Sequence, residues 1–161
     1  MVDVVLLHHT VPESWKHFPE YLRRVRAFCA EFDSDMNVQM LEDYLRASFI
    51  APKPPALMIV GVDDDGIVFG HTLAIAETWF GHPTVTVVQL QSDMRIPKDI
   101  WDRCRTSVEL FAQAHHAKFI QLAARSKALV RLYRKHGFTE ERTIMRMPFD
   151  GRAGQPDQGV V

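Results

Sequence analysis

The sequence predicts a mixed α/β (α+β) domain built round an antiparallel meander, in the order strand, helix, helix, three strands, helix, strand, helix, strand. Apolar residues recur at steps of three and four in two long stretches, Trp15 to Phe32 and Trp101 to His115, as buried helix faces require. Between them, Asp63-Asp64-Asp65-Gly66 separates two β-rich runs as a tight hairpin turn. The 161 residues, 47% hydrophobic and 24% charged, suit one globular domain that buries a core without disulfides.

Asp3 to His8 is a β-branched and leucine run that predicts the first strand. Thr10-Val11-Pro12-Glu13 follows with capping-box spacing and a proline in the first turn, so a helix starts there. Its apolar stripe is Trp15, Phe18, Leu22, Val25, Cys29 and Phe32, with Lys16, Arg23, Arg24 and Arg26 largely off it. After Asp33-Ser34-Asp35 a second helix starts near Asn37, turns Met40, Leu41, Tyr44 and Leu45 inward, and stops before Ala51-Pro52-Lys53-Pro54-Pro55. Ala56 to Val62 and Ile67 to Thr78 form the hairpin, and Thr84 to Gln91 adds a third antiparallel strand past the turn at Gly81-His82-Pro83. Trp101 to His115 is helical, Lys118 to Ala124 a short strand, Ser126 to His136 a helix capped by Gly137, and Arg142 to Phe149 a last strand. Residues 1–149 are thus expected to be one domain, and residues 150–161 a flexible tail or one ordered by a partner.

Composition excludes several function classes. Lys and Arg total 19 against 20 Asp and Glu, so no global field draws the chain to nucleic acid or an anionic membrane. No glycine lies between Gly81 and Gly137, which removes Walker-type and dinucleotide phosphate loops. Cys29 and Cys104 form no CxxC pair and are expected to be reduced, half-buried thiols. The histidine pairs His8-His9 and His115-His116 have the wrong spacing for two ligands to one metal. The N-terminus lacks a basic segment and a small-residue cleavage site, so a cytoplasmic protein is expected.

Leu132-Tyr133-Arg134-Lys135-His136-Gly137-Phe138-Thr139-Glu140 resembles the C-terminal signature of the GCN5-related N-acetyltransferases (GNAT), in which a helix bearing Leu-Tyr ends at Gly-Phe. The element order is similar to that family over Val2 to Phe149, and residue-level likeness covers Ser126 to Met147. The resemblance implies a mixed, mostly antiparallel sheet with helices on both faces. It also implies acetyl-CoA where the fourth and fifth strands part, against Leu90, Ser92, Arg95, Lys98 and Ser126. The family's diphosphate loop is glycine-rich, whereas Ser92 to Asp99 here has no glycine, a proline at 97 without N–H, and the carboxylates Asp93 and Asp99.

Acetyl transfer to an amine needs a base for the amine proton and an acid for the departing thiolate. Tyr133 matches the family's tyrosine acid, and it equally suits a packed, half-buried site. The fourth strand carries no Asp, Glu or His, so Glu77 on the preceding strand is the nearest carboxylate candidate, unless it is an exposed strand-end charge. His71 is either a base near the cleft or a residue at the core edge. Arg23, Arg24 and Arg26 either bind an acidic partner or RNA, or form a solvated face beside Glu20 and Glu31.

Two functions follow. One is a GNAT-like protein that has lost standard catalysis, needs no cofactor, and serves as an assembly component, as in some virion proteins of tailed phages. It would hold a protein partner or a second copy through the tail. The other is an active acetyl-CoA-dependent N-acyltransferase acting on a small-molecule or protein amine. The glycine-free loop and the strand without a carboxylate favour the first.

Overall fold

The computed structural model describes residues 2–123 and 127–139. The chain divides into two compact units, Met1–Ala123 and Ala124–Val161. The first contains β1 (Asp3–Leu6), α1 (Pro12–Phe32), α2 (Val38–Ile50), β2 (Ala56–Val62), β3 (Val68–Trp79), β4 (His82–Ser92), α3 (Lys98–Ala114) and β5 (Phe119–Leu122). The second contains α4 (Lys127–Lys135). The expected strand at Arg142 to Phe149 lies outside the described residues, as do the tail and Ser126.

The sheet runs β1-β2-β3-β4-β5, antiparallel throughout except for the parallel β4–β5 pair. It is the mixed, mostly antiparallel sheet that the sequence implied. Strand alternation separates two cores. On one face Met58, Val60, Val62 and Leu73 meet α1 and α2 through Phe18, Leu22, Val25, Leu45 and Phe49. On the other, Ala74 and Val85 meet Val108 and Ala112 of α3. Helices therefore cover both faces.

Both hairpins owe their shape to local chemistry. The Asp63 carboxylate accepts from the N–H groups of Asp65 (3.0 Å) and Ile67 (2.8 Å), and Gly66 supplies a φ of 77°. Phe80 and Gly81, with φ of 47° and 78°, form the mirror-image turn between β3 and β4 that suits the twist of the strands.

Several expectations change. Thr10 does not cap α1: the N-cap is Val11 without a side-chain bond, and Thr10 Oγ1 lies 2.7 Å from His8 Nδ1. The buried Ser14 ties the helix start to β1 instead, donating to the Leu6 carbonyl (2.9 Å) and accepting from His8 N–H (3.1 Å). The buried stripe of α1 takes in Tyr21, Arg24 and Phe28, while Trp15 and Phe32 at the ends are exposed, because a helix lying across a sheet buries a wider face than one row. In α2, Leu45 is buried and Leu41 and Tyr44 half-buried, but Met40, in the first turn, is exposed. Cys29 is fully buried rather than half-buried, and its sulfur accepts from Gln89 Nε2 at 3.4 Å. Cys104 is half-buried, and burial pushes its thiol up to about 11.

Candidate functional site: the open edge of β4

β4 pairs with β5 only from Thr84↔Phe119 to Val87↔Leu122, whereas its pairing with β3 continues to Ser92. Among the described residues, the edge of β4 that faces away from β3 therefore has no strand partner from Val88 to Ser92. The register against β3 shifts at Leu73/Ala74, which leaves Val88 as an extra, bulged residue at the point of parting. A bulge raises local twist and re-aims the backbone, so β4 leaves β5 here for a structural reason. Free N–H and C=O groups along such an edge suit a ligand that carries amides.

Beyond the edge, the chain turns into α3. Asp93 N–H donates to the Phe69 carbonyl (2.8 Å), and Ser92 Oγ donates to the Met94 carbonyl (2.7 Å) and accepts from Met94 N–H (3.3 Å). The Ser92 hydroxyl thus serves its own turn. Pro97 is the N-cap of α3, with no side-chain bond to the first turn. Met94 and Arg95 are exposed. Lys98 is exposed too, with Nζ 2.6 Å from Asp102. Leu90, Ile96, Ile100, Trp101 and Cys104 line a small cavity of about 20 Å³ between the sheet and α3, room for about one water. Ile96 is therefore turned under the sheet and Met94 toward solvent.

Asp93 does not lie unpaired in the loop as a bare negative charge. Its carboxylate accepts from Arg24 Nη2 at 2.6 Å, and Arg24 holds it below the usual carboxylate range. The same guanidinium donates to the Val68 carbonyl (2.5 Å) and to Glu20 (3.1 Å). The other two arginines of the α1 cluster also form ion pairs, Arg23 with Glu20 and Arg26 with Glu42, each at 2.6 Å, while staying exposed.

Glu77 lies at the exposed end of β3, but its carboxylate reaches across the sheet. It accepts from Thr86 Oγ1 on β4 and from Gln121 Nε2 on β5 (3.4 Å), and Gln121 also donates to Thr86 Oγ1 (2.8 Å). Three polar side chains from three strands thus meet one residue before β4 and β5 part. Tyr44 of α2 adjoins them: burial raises its phenol pKa, and the Glu77 charge adds to the rise.

His71 is a core residue, not a cleft base. It is buried, with Nε2 2.9 Å from Gln89 Oε1, Nδ1 without a partner, and Tyr21 and Phe28 edge-on to its ring. Burial lowers its pKa and keeps it neutral. In the second unit Tyr133 is buried, which raises its pKa. Its carbonyl accepts from the N–H groups of His136 and Phe138, and Gly137 takes the left-handed cap (φ 87°) that the sequence predicts.

Sequence reasoning missed Thr86 and Gln121, and took Arg24 only as part of a basic cluster. Arg24 had a signal: it stands three residues after Tyr21 and four before Phe28, a charge inside an aromatic row. Among the described residues no cluster of His, Cys, Asp and Glu could hold a metal, and no helix is long and apolar enough to cross a membrane.

An open wedge between parallel strands, reached through a three-stranded meander and followed by a helix, defines the GNAT acetyltransferase fold. Solved structures agree. The chain is similar to an aminoglycoside acetyltransferase from an uncultured soil metagenomic sample (TM-score 0.64, 17% identity, 93% of this chain and 99% of that one). It is similar to glucosamine-6-phosphate N-acetyltransferase of Arabidopsis thaliana (TM-score 0.63, 12% identity, 93% and 99%). Ribosomal-protein-alanine N-acetyltransferase of Brucella melitensis biovar Abortus 2308 matches similarly (TM-score 0.59, 15% identity, 92% and 100%). No family model and no curated protein matches the sequence. The chain has the GNAT fold.

Proposed function

We propose that this protein binds an acyl-CoA thioester along the open edge of β4 and transfers the acyl group to an amine. The observation that carries this reading is the parting of β4 from β5 after Val87, with Met94 turned to solvent rather than into the opening. Bound there, acetyl-CoA supplies an activated acyl group on a thiolate leaving group. The backbone from Val88 to Ser92 offers hydrogen bonds to its amide-bearing arm, and Leu90 offers apolar contact. Arg95 and Lys98 meet the phosphates by side chains, since Pro97 has no N–H to give.

Glu77 is the carboxylate for the acceptor. As the amine nitrogen bonds to the acyl carbon and the carbon–sulfur bond breaks, Glu77 takes the amine proton, directly or through a water, and an acid returns a proton to the thiolate. The family resemblance assigns that acid role to Tyr133, whose phenol pKa is raised by burial.

A second reading has its own observation. The glycine-free turn with Pro97 as N-cap and the absence of a carboxylate on β4 favour a GNAT-fold protein without catalysis that serves in assembly, with a protein partner or second copy. Calorimetry with acetyl-CoA separates the two: micromolar binding supports the transferase, and no heat at millimolar ligand overturns it.

A further inference from the structure

Arg24 is the one arginine of the α1 cluster whose side chain is almost fully buried, about 10% exposed against 64% for Arg23 and 61% for Arg26. Its three acceptors lie on three parts of the fold: Glu20 one turn back on α1, the Val68 carbonyl where β3 begins, and Asp93 just after β4 ends. Buried charge is costly unless it is paired, so the pairing with Asp93 is not incidental to Arg24. Nor is it incidental to the turn. Asp93 is the residue at which the open edge gives way to the loop before α3, and its N–H is fixed to the Phe69 carbonyl while its carboxylate is fixed to Arg24.

We propose that Arg24 is a positioning residue for the phosphate end of an acyl-CoA: by binding Asp93 to α1 it neutralises the carboxylate that directly follows the open edge and sets the turn from which Arg95 and Lys98 extend. The inference rests on the acyl-CoA reading above. Without Arg24, Asp93 is an unpaired negative charge at the place where a diphosphate would arrive, and like charges at this range repel in proportion to the charge brought in. The defect is therefore specific to the phosphorylated part of the ligand, and removing the Asp93 charge cures it. A merely structural role for Arg24 predicts neither.

The test measures binding of acetyl-CoA and of S-acetyl-pantetheine, which lacks the diphosphate, by calorimetry on the full chain carrying Arg24→Met, Asp93→Asn, or both. Arg24→Met is expected to weaken acetyl-CoA about tenfold and S-acetyl-pantetheine less than twofold. The double variant is expected to return acetyl-CoA to within about threefold of the wild type. A double variant as weak as Arg24→Met, or an equal loss for both ligands, overturns the inference. Should Arg24→Met not fold, Asp93→Asn alone decides: acetyl-CoA affinity kept or raised supports a neutralised Asp93, and a tenfold loss overturns it. Wild-type protein that binds neither ligand overturns the acyl-CoA reading itself and this inference with it, an outcome distinct from wild-type binding with insensitive variants.

Discussion

Gly70→Ala tests whether the close approach of β3 and β4 sets the open edge. Gly70 pairs with Ser92, the last residue of β4. A Cβ there would lie 2.8 Å from the Gln91 carbonyl oxygen, 3.3 Å from Ser92 Cα and 3.4 Å from Ser92 Cβ. The nearest atoms are backbone or fixed to it, so no rotamer change relieves the contact and the two strands must separate locally by about half an ångström. Overpacking of this kind costs about 1–3 kcal/mol, offset by about 0.5–1 kcal/mol for the smaller unfolded-state entropy of Ala. A net loss of about 0.5–2 kcal/mol lowers Tm by about 1–8 °C in a protein of this size. The assay is thermal unfolding followed by circular dichroism, repeated in urea to obtain Cm. Gly61→Ala is the control: its Cβ would meet the Phe69 ring at 2.6 Å, a side chain, so adding Phe69→Leu should relieve it. A Gly70→Ala protein with unchanged or higher Tm refutes the reasoning.

His71 links stability to pH. Because burial holds its pKa below 6.5, the unfolded chain binds the proton more readily, so stability is complete above about pH 6.5 and falls as pH drops toward the folded pKa. His71→Gln should flatten the loss of urea Cm between pH 7 and 5 relative to wild type, with a residual slope from His17, which burial also depresses; an unchanged slope contradicts the assignment. For the site, Glu77→Gln should lower kcat at least about a hundredfold and leave acetyl-CoA affinity within about twofold, as loss of a base requires. Equal losses in kcat and affinity would place Glu77 in binding instead.

The elements visible in the sequence were those decided by neighbours in the chain. Asp63 to Gly66 makes its turn with its own side chain, the prolines at 52, 54 and 55 stop α2, and Gly137 ends α4 as a left-handed cap. The open edge was partly legible, because element order placed the end of the fourth strand before the long third helix. Its polar chemistry was not. Glu77 stands nine residues from Thr86 and 44 from Gln121, and only the strand register brings the three together. Arg24 and Asp93 are 69 residues apart, so the charges of α1 and of the loop each looked like solvated surface.

That long-range pairing changes what the loop's charges mean. Counted along the chain, Asp93 and Asp99 cancel Arg95 and Lys98, and a diphosphate finds nothing to favour it. In the fold, Asp93 belongs to Arg24 and Lys98 to Asp102, which leaves Arg95 just before α3, whose first turn holds Asp99, a position that suits a carboxylate. The formal charges balance as before; what the fold changes is that Arg24 holds the Asp93 carboxylate. On the acyl-CoA reading, the backbone edge of β4 would carry much of the binding, close to Thr86, Gln121 and Glu77, and the Arg24–Asp93 pair would keep the phosphate end from being repelled. On that reading glycine is dispensable: a cradle of converging N–H groups matters most where phosphate binding dominates affinity, and the parting of the two strands would offer hydrogen bonds that the loop lacks.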